Sequence, residues 1–67
     1  MSKNFEIIEL VGISTQSISD AIQQVVLEVS KQKKVGWFEV TEQRGRVNSE
    51  GKIEFQVTVK IGTKINE

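Results

Sequence analysis

Apolar and polar positions alternate through residues 3 to 11, with two interruptions. Phe5, Ile7 and Val11 fall on one parity, Ile8 and Leu10 on the other, and Glu6 and Glu9 break the pattern. Successive side chains of a strand point to opposite faces, so this segment predicts a first strand with apolar groups on both. Such a strand suits burial on both sides, and either face is a candidate for the one that meets a helix.

Beyond Gly12 to Gln16, which reads as a turn, the period changes. Ile18, Ala21, Ile22, Val25, Val26 and Val29 recur at three- and four-residue spacing, predicting a helix with one apolar stripe and an end near Lys33. Gln23, Gln24, Glu28 and Lys31 fall on its wet side. Ser14 or Thr15 suits the N-cap, and Ser17 with Asp20 also fits a capping box, which starts the helix later. The valines lower intrinsic helix propensity, so packing against a sheet must hold this helix. Gly36 suits the reversal after it.

Residues 37 to 47 and 52 to 64 then read as two strands joined by the turn-forming Asn48-Ser49-Glu50-Gly51. A four-residue loop pairs Val47 with Lys52. The same register sets Phe38 and Val40 opposite Ile61 and Val59. Trp37, Glu39, Thr41 and Gln43 then share a polar face with Gln56, Thr58 and Lys60. Trp37 and Phe38 cannot share a face. If Phe38 packs under the helix, the one tryptophan of the chain faces away from it, toward a partner subunit, a planar ligand or both. The expected fold is α+β, a β-α-β-β unit whose three-stranded, antiparallel-rich sheet packs on one helix, with residues 1–67 as one domain.

Composition sharpens this picture. A chain of 67 residues buries only about 60% of its unfolded surface. Small domains therefore add disulfides, a metal or oligomerisation. The sequence has no Cys and no His, which removes disulfides, thiolate metal sites and the commonest general base. Oligomerisation is what remains, and it would also cover free sheet edges. Nine basic and nine acidic residues cancel, against the basic surface a nucleic-acid partner needs. Lys31, Lys33 and Lys34 read as cations favourably placed at a helix C-terminus. No apolar run approaches the roughly 20 residues of a membrane span, and no signal-peptide pattern opens the chain. A cytoplasmic protein is the expectation.

Little catalytic chemistry is left. Ser14, Ser17 and Ser19 serve better as caps. Glu39 and Glu42, three apart on a strand, point to opposite faces and form no carboxylate pair. Gly12 and Gly62 are isolated, with no phosphate-binding glycine loop around them. No catalytic or metal-ligating residue is assigned, and an enzyme is not expected. The polar face offers more: the flat ring of Trp37 and the amide of Gln56, a donor and an acceptor together, suit a planar heterocycle. An interface anchor at Trp37, with Gln56 merely solvated, fits the same pattern.

Local words then point to a family. Glu9-Leu10-Val11-Gly12-Ile13-Ser14, Ala21-Ile22-Gln23, Trp37-Phe38-Glu39-Val40 followed by Arg44-Gly45, Phe55-Gln56-Val57 and Lys60-Ile61-Gly62 resemble, in order and spacing, segments of the dodecins, small flavin-binding proteins of bacteria and archaea. The resemblance covers nearly the whole chain. It implies a sheet partly wrapped around the helix and a hollow homododecamer of cubic (tetrahedral) symmetry. Flavins in that family lie in stacked pairs near two-fold axes, between tryptophans of neighbouring subunits.

By the same resemblance, Trp37 matches the stacking tryptophan, Gln56 the glutamine on the flavin's pyrimidine edge, and Arg44 an arginine near the FMN phosphate. FMN is thereby favoured over riboflavin or lumichrome. Gly36 stands where many relatives carry Asp beside the ligand, which removes one polar contact. Gly62-Thr63-Lys64 replaces a common Gly-Phe-Arg, and lysine keeps the charge without the planar fork. Some relatives bind coenzyme A through basic residues, for which Lys3 and Lys64 are the candidates here. The implied function is flavin storage or buffering with quenching of flavin photochemistry. The alternative is a structural homo-oligomer with Trp37 as a dry contact, and a flavoenzyme is a third reading.

Overall fold

A computed structural model describes residues 4–65. The element order is β1 (Phe5–Ser14), α1 (Ile18–Ser30), β2 (Val35–Val47) and β3 (Ile53–Lys64). β3 is the central strand, antiparallel to β1 on one side and β2 on the other. The β-α-β-β unit with one helix and a three-stranded antiparallel sheet is the fold expected from the pattern.

The helix packs on one face of this sheet. Ala21, Val25, Val57, Val59 and Ile61 form the buried core, with Ile18, Ile22, Val26, Val29, Val35 and Val40 packed around it. The predicted helical stripe is thus the stripe that faces the sheet, with Ala21 and Val25 buried and the other four partly so. Gly12 lets the helix come close. A Cβ there would run into the Val25 side chain and lie 2.8 Å from the Ala21 carbonyl oxygen.

Of the three candidate caps, Ser17 is the N-cap, its hydroxyl accepting from the Asp20 amide at 2.9 Å. Half of the capping box forms. The Asp20 carboxylate turns instead to Ser14 Oγ, which donates to it at 2.6 Å, and to Gln24 Nε2. These two bonds, Ser14 first, hold the Asp20 carboxyl below its usual range. They fasten the buried end of β1 to the first turn of α1.

The boundaries shift from expectation in three places. β1 continues through Ile13 and Ser14, which pair with Gln56 and Phe55 rather than turning. The helix stops at Ser30 because the Val29 carbonyl accepts from both Gln32 and Lys33 amides, closing the turn early. No basic residue therefore lies in its last turn. Lys31 pairs with Glu28 at 3.7 Å and Lys33 with Glu6 at 3.1 Å instead. Gly36 does not close the helix. It lies within β2, as the extra residue between Val35, opposite Thr63, and Trp37, opposite Gly62.

The largest correction is in the hairpin. Phe38 and Val40 pair with Ile61 and Val59 as expected, but a β-bulge follows Val40, and Glu42 pairs with Thr58. Thr41 is the inserted residue, its hydroxyl donating to the Thr58 carbonyl at 3.2 Å. From there the register moves by one, so Val47 faces Ile53 and not Lys52. The loop is correspondingly longer. Asn48 Oδ1 accepts from the Glu50 and Lys52 amides, and Gly51 takes the positive φ of 80° that the turn requires.

One bulge changes which side chains share a face. Gln43 moves to the helix side, opposite Val57, while Glu42 and Arg44 come to the outer side, opposite Thr58 and Gln56. Glu39, opposite Lys60, is on that outer side too. Glu39 and Glu42 therefore share a face, contrary to strict alternation, with the Thr58 hydroxyl 3.4 Å from Glu42. Phe38 is on the helix side by register but remains 49% exposed, because α1 covers Val35 and Val40 and does not reach it.

Candidate functional site

The outer face, away from α1, collects the side chains singled out from the sequence. β3 contributes Gln56, Thr58, Lys60 and Gly62. β1 contributes Phe5, Ile7, Glu9, Val11 and Ile13, and β2 contributes Trp37, Glu39, Glu42 and Arg44. The β1 register also settles the face left open by its sequence: Ile8, Leu10, Gly12 and Ser14 go with the helix. Its other set, Ile7, Val11 and Ile13 with Phe5, stays exposed on the protomer.

Trp37 faces away from the core and lies over Gly62. The indole fills the position that a Gly62 side chain would take, with Cε2, Nε1 and Cζ2 nearest. Glycine is required there because the ring lies against the strand backbone itself. The seat leaves 39% of the residue open to solvent, a flat aromatic surface held from below. The pairing of Trp37 with Gly62 was already implicit in the predicted hairpin register, which is the signal that identifies Gly62 as part of the site.

Gly36, next in the chain, is filled in a similar way. A Cβ at Gly36 would lie 2.6 Å from the ring edge of Phe5, which reaches across the central strand from β1. Lys64 is opposite Phe5 at this same end and is exposed. Lys3 lies outside the described residues.

Arg44 and Gln56 form a direct cross-strand pair at the other end. With Ile13, Gly45, Arg46 and Glu54 they line a cleft of about 300 Å³. Its two arginines differ. Arg46 Nε donates to Glu54 at 2.9 Å, and this bond, aided by Asn48, holds the Glu54 carboxyl below its usual range. Arg44 and the Gln56 amide make no side-chain hydrogen bond or ion pair among the described residues. A guanidinium without a protein partner beside a free amide is ready to donate to an anionic, hydrogen-bond-accepting group.

The site therefore has two halves. Trp37 is level with Gly62, and Arg44 with Gln56, six positions along β3. At about 3.3 Å per residue the halves are roughly 20 Å apart. A single ring cannot span both halves within one protomer. Among the described residues, no group of three or more His, Cys, Asp or Glu side chains is placed to hold a metal ion. No helix among them is long and apolar enough to cross a membrane.

Comparison with known proteins agrees with this architecture. The sequence model of the dodecin family matches residues 5–66. A dodecin of Thermus thermophilus is 35% identical over 68 residues, spanning 100% of this chain and 99% of its own. The crystal structure of a Thermus thermophilus protein superposes with a TM-score of 0.85 at 34% identity, with 98% of each chain covered. The dodecin of Streptomyces davaonensis superposes with a TM-score of 0.86 at 29% identity over 100% of both chains. Matched along almost its entire length in both sequence and fold, the chain belongs to the dodecin family.

Proposed function

We propose that this protein stores and buffers flavin, FMN in the first instance and riboflavin in the second, and that it binds without turnover. The ligand is held as stacked pairs between Trp37 rings of neighbouring subunits in a homododecamer. The observation that carries the reading is the open indole seated on Gly62, on the same face as an unpaired Arg44–Gln56 couple but roughly 20 Å from it. Such halves make a whole site only when protomers assemble. The exposed apolar side chains of β1 on that face supply a reason to assemble, because a monomer rarely leaves so much contiguous apolar surface in water.

Each residue has a distinct task. Trp37 stacks on the isoalloxazine, an interaction that contributes about 0.5–1.5 kcal/mol beyond burial. Gln56 presents a donor and an acceptor to the ring's pyrimidine edge. Arg44 offers a charge-assisted bond to a phosphate tail, the basis for preferring FMN. Gly36, beside the ligand, contributes no polar side chain to it, so one contact that an Asp there would make is missing. A bound flavin contributes light absorption, and an indole in face contact with it drains the excited state before it can react elsewhere. The cytoplasm, where FMN is made and used, is the compartment that fits this task.

A structural homo-oligomer without ligand is the second reading, favoured by the apolar outer side of β1. Adding FMN to apoprotein separates the two. Flavin fluorescence is expected to fall at micromolar protein, and native mass spectrometry to report twelve subunits with ligands in pairs. Unchanged fluorescence together with an intact oligomer would leave the structural reading standing.

A further inference from the structure

The aromatic end of the outer face contains an interlock of which the flavin reading uses only the Trp37 half. Two positions without side chains, Gly62 on β3 and Gly36 on β2, are each filled by a ring from another strand: Trp37 on Gly62, and Phe5 against Gly36. Phe5 stands on β1, and the central strand lies between it and Gly36. Its ring therefore ties the two outer strands together over the end of β3. Gly36 is also the inserted residue of β2, between Val35 and Trp37. An inserted residue leaves the ladder locally loose, and the indole is attached to the next residue.

We propose that Phe5 is a positioning residue for Trp37. By occupying the space above Gly36, its ring clamps the irregular segment of β2 and fixes the direction in which the indole leaves the backbone. The absence of a side chain at Gly36 is then a requirement of this clamp. Any substituent there meets the Phe5 ring at a distance that Cβ contacts do not tolerate, and one of the two must move. The consequence for ligand binding rests on the flavin reading given above, but the clamp itself is a property of the ligand-free protein.

The test uses the full chain and three variants, Phe5→Ala, Gly36→Ala and the double variant, with native mass spectrometry to verify assembly. Ligand-free Trp37 emission and near-ultraviolet circular dichroism report the indole directly, since it is the only tryptophan. Each single variant is expected to red-shift the emission, weaken the near-ultraviolet signal and raise the FMN dissociation constant about tenfold. In the double variant the added methyl has room but the clamp is still missing, so the loss is expected to match that of Phe5→Ala alone rather than the sum of the two single losses.

Single variants with unchanged tryptophan spectra, or losses that simply add in the double variant, would overturn the proposal. Should Phe5→Ala fail to assemble, Phe5→Leu with Gly36→Ala forms the same cycle, and additivity there has the same meaning. If the native protein binds no flavin, the functional reading falls, while the spectra still decide the clamp.

Discussion

The two faces of the sheet are built to different specifications. Toward the helix, β3 presents Val57, Val59 and Ile61, compact branched side chains with no exposed surface at all, and β1 presents a glycine where the helix comes nearest. On the far side, Phe5, Ile7, Val11, Ile13 and Trp37 are larger on average, and each is between 39% and 59% exposed. The helix side is closed by its own chain where α1 lies over it, although Leu10 and Phe38 at its margins stay 37% and 49% exposed. The other is left to be completed by something else. Stability of the protomer and use of the protein can thus be perturbed separately, and variants on the two sides should divide accordingly.

The largest effect is expected on the helix side. Gly12→Val drives a side chain into Val25 and the Ala21 carbonyl, and the carbonyl cannot move without the helix. A loss of about 3 kcal/mol in urea unfolding is expected, which for so small a unit removes most of the folded population. If Gly12→Val unfolds at the same urea concentration, the close helix–strand approach is not what holds this side.

Next comes the outer side. Trp37→Ala is expected to lower flavin affinity about a hundredfold, from the loss of both burial and stacking, with far-ultraviolet circular dichroism unchanged. A matching loss of helix signal would merge the two faces into one energetic unit. Arg44→Ala is expected to weaken FMN about tenfold while leaving riboflavin unchanged, as for a charge-assisted bond to a phosphate. Equal losses for both flavins in a titration would place Arg44 away from the anionic tail.

The smallest effect comes from acid. Asp20, with an ordinary value of 3.8, and Glu54, with one of 4.5, both have their carboxyls held lower in the folded chain. For a depressed carboxyl, the stabilisation is complete above the unfolded value and is lost as pH falls through the folded one. Thermal midpoints should therefore hold down to about pH 5 and decline below it. Glu54→Gln is expected to flatten part of that decline without affecting flavin binding near neutrality, since Arg46 and not Arg44 is its partner.

The contrast between the faces was largely legible in the sequence. The helical stripe, the hairpin and the outward tryptophan follow from periods of 3.6 and 2 that the structure keeps around Phe38, Val40, Val59 and Ile61. What escaped was the bulge. Thr41 sits in a run of polar residues, where one inserted position changes no hydrophobic pattern, so strict alternation put Gln43 outside and separated Glu39 from Glu42. The same insertion places Arg44 opposite Gln56, a pairing that residue parity alone did not give. β1 was ambiguous for a different reason. Both of its faces are apolar, and only the pairing with β3 shows that one set meets the helix while the other stays exposed. The distance between Trp37 and Gln56 also needed the register, because sharing a face says nothing about lying side by side.

That distance has a thermodynamic consequence. When the two ends of a binding site belong to different copies, occupancy and association are linked functions, and each must raise the other's apparent affinity. Saturating flavin should then shift the melting temperature upward and slow subunit exchange between labelled populations, whereas extreme dilution should release chromophore and subunits together. A cell making more of this chain would gain holding capacity faster than in proportion to the number of chains, until assembly is complete.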